Sequence, residues 1–278
     1  AWHALGSNRL ERTVRALLLL IIFAIPFGVV GILSEARAEV GGAYNTFAVP
    51  KTYLLEFVIV LTAGLWAWLR PDVGHRLKPY KALLGVLALA GVSFVWAPYP
   101  LLAAATFGHL FAAFLLLYML AEEFRHERFL RQAFWVLVAS AGVQAAWAIG
   151  QYALNHDFGL QLLGESDLRP DLQGVAKVMD DSIAHIRGYG TMPHPNLLAA
   201  FLAAGIFWVG SALFWPEQRS TRRTVALGAT LGVLAAGLAT TMSRAALVLV
   251  VVNGILVTLY NVRKWKRLTL AAGIAAAA

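Results

Sequence analysis

The chain has 278 residues, of which 59% are hydrophobic and 14% charged, with no cysteine and a formal net charge of +8. Together with a mean hydropathy of +0.67, this excludes an ordinary water-soluble domain, whose charged fraction is about a quarter. The lack of thiols excludes disulfides, thiolate catalysis and a cysteine metal site.

About 20 consecutive apolar residues are needed for a helix to cross the hydrocarbon core, and lipid leaves the backbone few alternatives to a helix. Eight such runs follow one another, at roughly 14–33, 53–69, 82–96, 101–121, 133–153, 197–215, 224–242 and 245–260. A ninth opens at Leu268 and reaches Ala278 after 11 residues, too few to span. The expected fold is therefore all-α: a polytopic transmembrane helix bundle of eight full spans plus the start of a ninth. Residues 1–278 form one transmembrane domain in this reading, and the chain is expected to be incomplete at its C-terminus. The first run follows Arg9, Arg12 and Arg15 and lacks a small-residue cleavage site, so it reads as a retained helix rather than a signal peptide.

With a cytoplasmic N-terminus the loops alternate in side. Arg9, Arg12, Arg15, Arg70, Arg76, Lys78, Lys81, Arg125, Arg128, Arg131, Arg219, Arg222, Arg223, Arg263, Lys264, Lys266 and Arg267 then face the cytoplasm, 17 of the 23 basic residues. The positive-inside rule favours this orientation, and it makes the net charge a topology signal rather than a nucleic-acid footprint. Most connections are short. The exception is an extracytoplasmic loop at 154–196 that carries Asp157, Glu165, Asp167, Asp171, Asp180 and Asp181. Loops of that length are usually functional or disordered.

Two outer arginines stand directly before helices. Arg187 precedes Gly188 and Gly190, which permit a tight turn, and then Pro193, His194, Pro195 and Asn196 lead into the run from Leu197. Pro195 suits the first helical turn, where its missing donor costs nothing. In TTMSRAALVLVV, Ser243 is a good N-cap and Arg244 would open the eighth helix. Both helices would start on the outer side, presenting free amide donors and a positive dipole end. With two guanidinium forks added, the simplest ligand is a phosphate or diphosphate. Taken singly, each arginine is also explained as an interfacial anchor. Arg244 continues the line Gly228, Gly232, Ala236, Thr240, a small-residue face suited to close helix contacts that would aim it into the bundle if the helix ran on.

Other polar residues carry weaker signals. Ser140, Gln144 and Gln151 share a stripe of the fifth helix and would line a cavity or bond between helices. His109 and Asn253 read as buried, hydrogen-bonded groups rather than relays, and Glu56 as a paired or protonated group near the outer interface. His194 fits capping or anion positioning better than base catalysis. Neither the histidines nor the loop acids show metal-ligand spacing, so no metal is expected.

The patterns RGYGTMPHPNLLAAFL at 187–202 and TTMSRAALVLVV from Thr240 resemble the O-antigen ligase and O-antigen polymerase superfamily of bacterial membrane glycosyltransferases. The resemblance implies a multi-pass inner-membrane enzyme without cofactor or metal. Such an enzyme takes a glycan from an undecaprenyl diphosphate carrier and transfers it, facing the periplasm, to a lipid A core or other glycan acceptor. Arg187 and Arg244 match the family's arginines that contact the carrier's diphosphate, and are the expected catalytic pair. His194, Asn196 and Ser243 would complete the diphosphate site. The family's catalytic histidine lies in a later outer loop that this sequence does not reach, so its role passes to neither His194 nor His185.

A ligase is the leading reading on overall likeness. A polymerase or a protein O-glycosyltransferase would share the donor chemistry. A transporter for an anion or small metabolite is the alternative of another class, although the paired broken helices of two related halves are not evident.

Overall fold

The computed structural model describes residues 2–34, 39–40, 43–44, 49–70, 76–180, 183–213, 220–256 and 258–259. The run from Leu268, the basic cluster at 263–267 and Arg219 lie outside them. The chain forms two compact units. One comprises residues 1–136 with 162–164, the other 137–161 with 165–278.

In the first unit α1 (Trp2–Ala24) leads through a turn at Pro26 into β1 (Val30–Ile32), which pairs antiparallel with β4 (Lys51–Tyr53) in the register Val30↔Tyr53. β2 (Glu39–Val40) and β3 (Ala43–Tyr44) form a second short ladder between them. The helix thus stops at Ala24 rather than running to residue 33, because Pro26 cannot supply the amide that the next turn needs. α2 (Leu54–Leu69) opens on a capping box in which Glu56 accepts from the Tyr53 amide, satisfying a donor that would otherwise be orphaned. α3 (Lys81–Val92) is extended by 3-10 turns at both ends into one 19-residue segment, Lys78–Trp96. α4 (Pro100–Glu123) starts with proline at its first position.

α1 and α4 both pack against α2, and the three helices bury Leu18, Ile21, Ile22, Trp66 and Met119. Tyr118 takes the rings of Trp66 and Tyr80 edge-on, at 5.6 Å and 5.2 Å between centroids. At one end of these helices two buried carboxylates collect the basic residues. Glu123 accepts from Arg15 at 2.9 Å, Arg70 at 2.6 Å and the Trp66 indole at 3.1 Å, while Glu122 pairs with Arg76 at 2.8 Å and Arg125 at 3.0 Å. Elsewhere in the unit Glu56 is paired with the ring of His109, which is hydrogen-bonded as expected but one-third exposed rather than buried.

α5 (Glu127–Leu154) begins in the first unit and continues in the second, which adds β5 (Lys177–Asp180), β6 (Ile183–Ile186), α6 (Pro195–Ala212), α7 (Thr221–Thr240) and α8 (Arg244–Leu256). The face of α5 bearing Ala141, Gln144, Ala145, Ala148 and Gln151 follows the three- and four-residue spacing of a helix, and all five residues are fully buried. Its alanines leave room for close approach: a Cβ on Gly237 of α7 would lie 2.6 Å from that of Ala145, and one on Gly205 of α6 would lie 3.1 Å from that of Ala141. The expected small-residue line is therefore not the contact face of α7. Gly228 and Gly232 have nothing within 4 Å, and Leu227, Leu234, Gly237 and Leu238 are buried instead. The leucines of α7 fill volume against its neighbours, and the glycine line faces outward.

Among the described residues, five helical segments are long and apolar enough to cross a membrane: Lys78–Trp96, α4, α5, α6 and α7. α2 has 16 residues, α8 is also shorter, and α1 carries Arg9, Glu11, Arg12 and Arg15. These five are fewer than the eight full spans expected. Lys78–Trp96 buries none of its residues within the chain, an arrangement stable for an apolar helix only against lipid or another protein.

Candidate functional site

The loop between α5 and α6 is ordered by its own polar groups. Asn155, in the left-handed region at φ +58°, donates to the Ala184 carbonyl and accepts from the Ile186 amide, at 3.0 Å and 2.8 Å, fastening β6 to the end of α5. Asp157 accepts from the amides of Leu168 and Gly159. Burial raises its carboxyl pKa, but these donors outweigh that and leave it below the usual value. β5 and β6 form a hairpin in the register Lys177↔Ile186, and Arg187 continues it by donating its amide to the Ala176 carbonyl at 3.1 Å.

The turn that follows is seated on α5. Gln151 accepts from the amides of Tyr189 and Gly190 at 3.0 Å and 2.8 Å, and Gln144 accepts from the amide of Thr191 at 2.9 Å. Two turns of helix separate these glutamines, so the face that packs α6 and α7 also supplies the seat. The glycines are required here for different reasons. Gly190 has φ +59°, and a Cβ on Gly188 would come within 2.3 Å of the Thr240 hydroxyl. Tyr189 is buried with Leu168 and Ile186, and its oxygen accepts from the Ala176 amide at 2.7 Å. Burial raises its phenol pKa.

From this seat Arg187 bridges two helix ends. Its Nε donates to the Thr241 carbonyl at 2.6 Å, its other fork donates to Asn196 Oδ1 at 2.9 Å, and the Gly188 amide donates to the Thr240 carbonyl at 2.9 Å. The C-terminal carbonyls of α7 thus receive a cation and an amide, the groups their partial negative charge favours. Asn196 lies in the first turn of α6. That helix opens at Pro195, and its N-cap His194 accepts from the Asn196 amide at Nδ1 over 3.1 Å. Burial, and then repulsion from Arg187, push the His194 pKa below its ordinary value. Burial also lowers that of Arg187, which keeps its charge at neutral pH.

After Thr240 the chain turns through Met242, at φ +50°, and α8 begins at Arg244 with the Ser243 carbonyl accepting from the Leu247 amide. Helix initiation at Arg244 is as expected, but its burial is not. The turn breaks the continuity with α7, so Arg244 is exposed while Ser243 is 6% exposed. Arg187, His194 and Asn196 are joined by direct bonds, and Arg187 reaches the turn that carries Ser243 and Arg244. Arg15, Arg70, Arg76, Arg125, Arg131 and Arg169 all pair with carboxylates. Arg187 and Arg244 pair with none, as is also true of Arg9, Arg12, Arg128 and Arg222 among the described residues, but Arg187 and Arg244 stand at the starts of α6 and α8. No three His, Asp or Glu side chains among the described residues gather to hold a metal ion.

Sequence reasoning did not assign roles to Asn155, Glu165 or Thr241. The spacing of Gln144 and Gln151 was visible, but their target was not. Compared with protein-family models, with curated proteins and with solved structures, the chain matches none.

Proposed function

We propose that this chain is a bacterial inner-membrane glycosyltransferase of the O-antigen ligase type, moving a glycan from undecaprenyl diphosphate to a lipid A core on the periplasmic side. The observation that carries the reading is the uncompensated charge of Arg187 and Arg244 beside the first turns of α6 and α8. Arg187 is bonded only to a carbonyl and a neutral amide, so its guanidinium is oriented without being neutralised. In such a reaction an acceptor hydroxyl attacks the anomeric carbon, the bond to the diphosphate breaks, and charge grows on the leaving group. A guanidinium fork held beforehand, as that of Arg187 is, stabilises that charge, and removing one oriented donor typically slows a reaction roughly 10²–10³-fold. His194, Asn196 and Ser243 supply further polar groups around the diphosphate, and no cofactor enters the reading.

The N-terminus is cytoplasmic in this reading. Its support is that Arg15, Arg70, Arg76 and Arg125, assigned to one side by the positive-inside rule, converge on Glu122 and Glu123. α1, α2 and α8 join the five long helices to make eight crossings.

The test is a lipopolysaccharide gel from a deletion strain complemented with wild type, Arg187→Ala or Arg244→Ala. Loss of the long-chain ladder in both variants, with polymer retained on the lipid carrier, is expected. A core bearing a single repeat unit would instead assign a polymerase. A ladder unaffected by the deletion would overturn both and favour an anion transporter.

A further inference from the structure

Glu165 is 4% exposed and pairs with no cation among the described residues. Its carboxylate accepts instead from four N–H donors: the Trp147 indole and the Gln151 amide at 2.8 Å each, and the backbone amides of Phe158 and Leu160 at 3.0 Å and 2.8 Å. A buried anion satisfied this way is retained at a desolvation cost and held in one geometry by its donors. Its main consequence falls on Gln151, which is fully buried. A carboxylate only accepts, so the glutamine must turn its NH₂ toward Glu165, and that sets its oxygen against the amides of Tyr189 and Gly190. The same NH₂ donates to the Gly190 carbonyl at 2.9 Å. The polar atoms of Gln151 are thus committed between Glu165 and the turn two residues beyond Arg187.

We propose that Glu165 and Gln151 are positioning residues for Arg187. The carboxylate sets the amide orientation of Gln151, the amide sets the backbone at Tyr189 and Gly190, and this holds the Arg187 fork on Thr241 and Asn196. The inference rests on the reading of Arg187 as part of an anion site. Upstream, the bond from the Arg187 amide to Ala176 anchors the same residue, so the guanidinium is carried on a backbone fixed on both sides. Replacing Glu165 by glutamine puts an NH₂ among four donors. Either a donor goes unmatched or Gln151 flips, and a flipped Gln151 faces its NH₂ toward the two loop amides.

The test uses the full chain in detergent micelles with inorganic pyrophosphate as the probe, titrated calorimetrically against wild type, Glu165→Gln, Arg187→Ala and the double variant. Glu165→Gln is expected to weaken binding about tenfold, and to add nothing once Arg187 is alanine, because residues acting through one group are not additive. Wild-type affinity in Glu165→Gln, or a further independent loss in the double variant, would overturn the proposal. If the wild type itself does not bind pyrophosphate, the anion reading fails, and amide hydrogen exchange decides the positioning role separately. Faster exchange across 187–196 and 240–244 in Glu165→Gln supports it, whereas a change confined to 147–165 overturns it. If Glu165→Gln does not fold, Gln151→Asn, one methylene shorter, should show the same pattern.

Discussion

His194 caps α6 as a neutral ring, since Nδ1 accepts from the Asn196 amide and a protonated imidazolium has no acceptor to offer. Its pKa is depressed by burial and by Arg187, so the sign of the pH effect follows. The cap contributes fully above the unfolded value of about 6.5 and is lost as pH falls through the lower folded value. Acidification from pH 7.5 to 5 should therefore cost the wild type more thermal stability than His194→Asn, a capping residue that does not titrate, by about 1 kcal/mol or less for this exposed site. Equal acid losses in the two proteins would contradict the cap. The His-Pro-Asn order made a capped helix start legible in the sequence. Glu165 was not legible, because its partners come from residues 147 to 160 and its importance lies in which way it turns Gln151.

On the scale of elements, α5 is the organising helix of the second unit, and its buried face serves two purposes. Ala141, Ala145 and Ala148 admit α6, α7 and the arginine loop closely, while Gln144 and Gln151 bond the loop backbone. Gly237→Ala tests the packing half. The new methyl would meet the Ala145 Cα at 2.7 Å, and backbone cannot yield as a flexible side chain can. A net loss of about 1–2 kcal/mol is expected even after the gain in helix propensity. Gly228→Ala, with nothing within 4 Å, keeps the propensity gain without the clash and should be neutral or stabilising. Thermal midpoints in detergent compare the two, and equal effects would refute this account of the α5–α7 contact. The helical spacing of the α5 stripe was readable. The choice between the glycine line and the leucine face of α7 was not, because both repeat at helical periods and only the neighbouring helices decide which is covered.

At the scale of the whole molecule, long apolar helices dominate, and in the first unit four arginines gather on the adjacent buried carboxylates Glu122 and Glu123. Glu123 is fully buried and joins α1, through Arg15, to α2, through Arg70 and Trp66. Glu123→Ala leaves two arginines without their counter-charge and should destabilise by about 3 kcal/mol, toward the low end for breaking a buried pair because both arginines are partly exposed. Glu127→Ala removes an exposed pair with Arg131, one helical turn away, and should cost well under about 1 kcal/mol. Thermal denaturation of the purified variants separates the two, and similar losses would show that burial of Glu123 does not matter.

Composition and hydrophobic run length, which are properties of the chain read locally, determined that this protein is predominantly helical and built of segments able to cross a membrane. Local chemistry also determined where α6 and α8 start, because proline at a first turn and serine before a helix act on the next few residues. Tertiary structure alone decided the rest. It left Arg244 exposed where the small-residue line pointed inward, and joined Arg187 to Thr241 across 54 positions of sequence. Those outcomes depend on which orphaned carbonyls and amides meet once the helices pack, a pairing between distant segments that no local periodicity encodes.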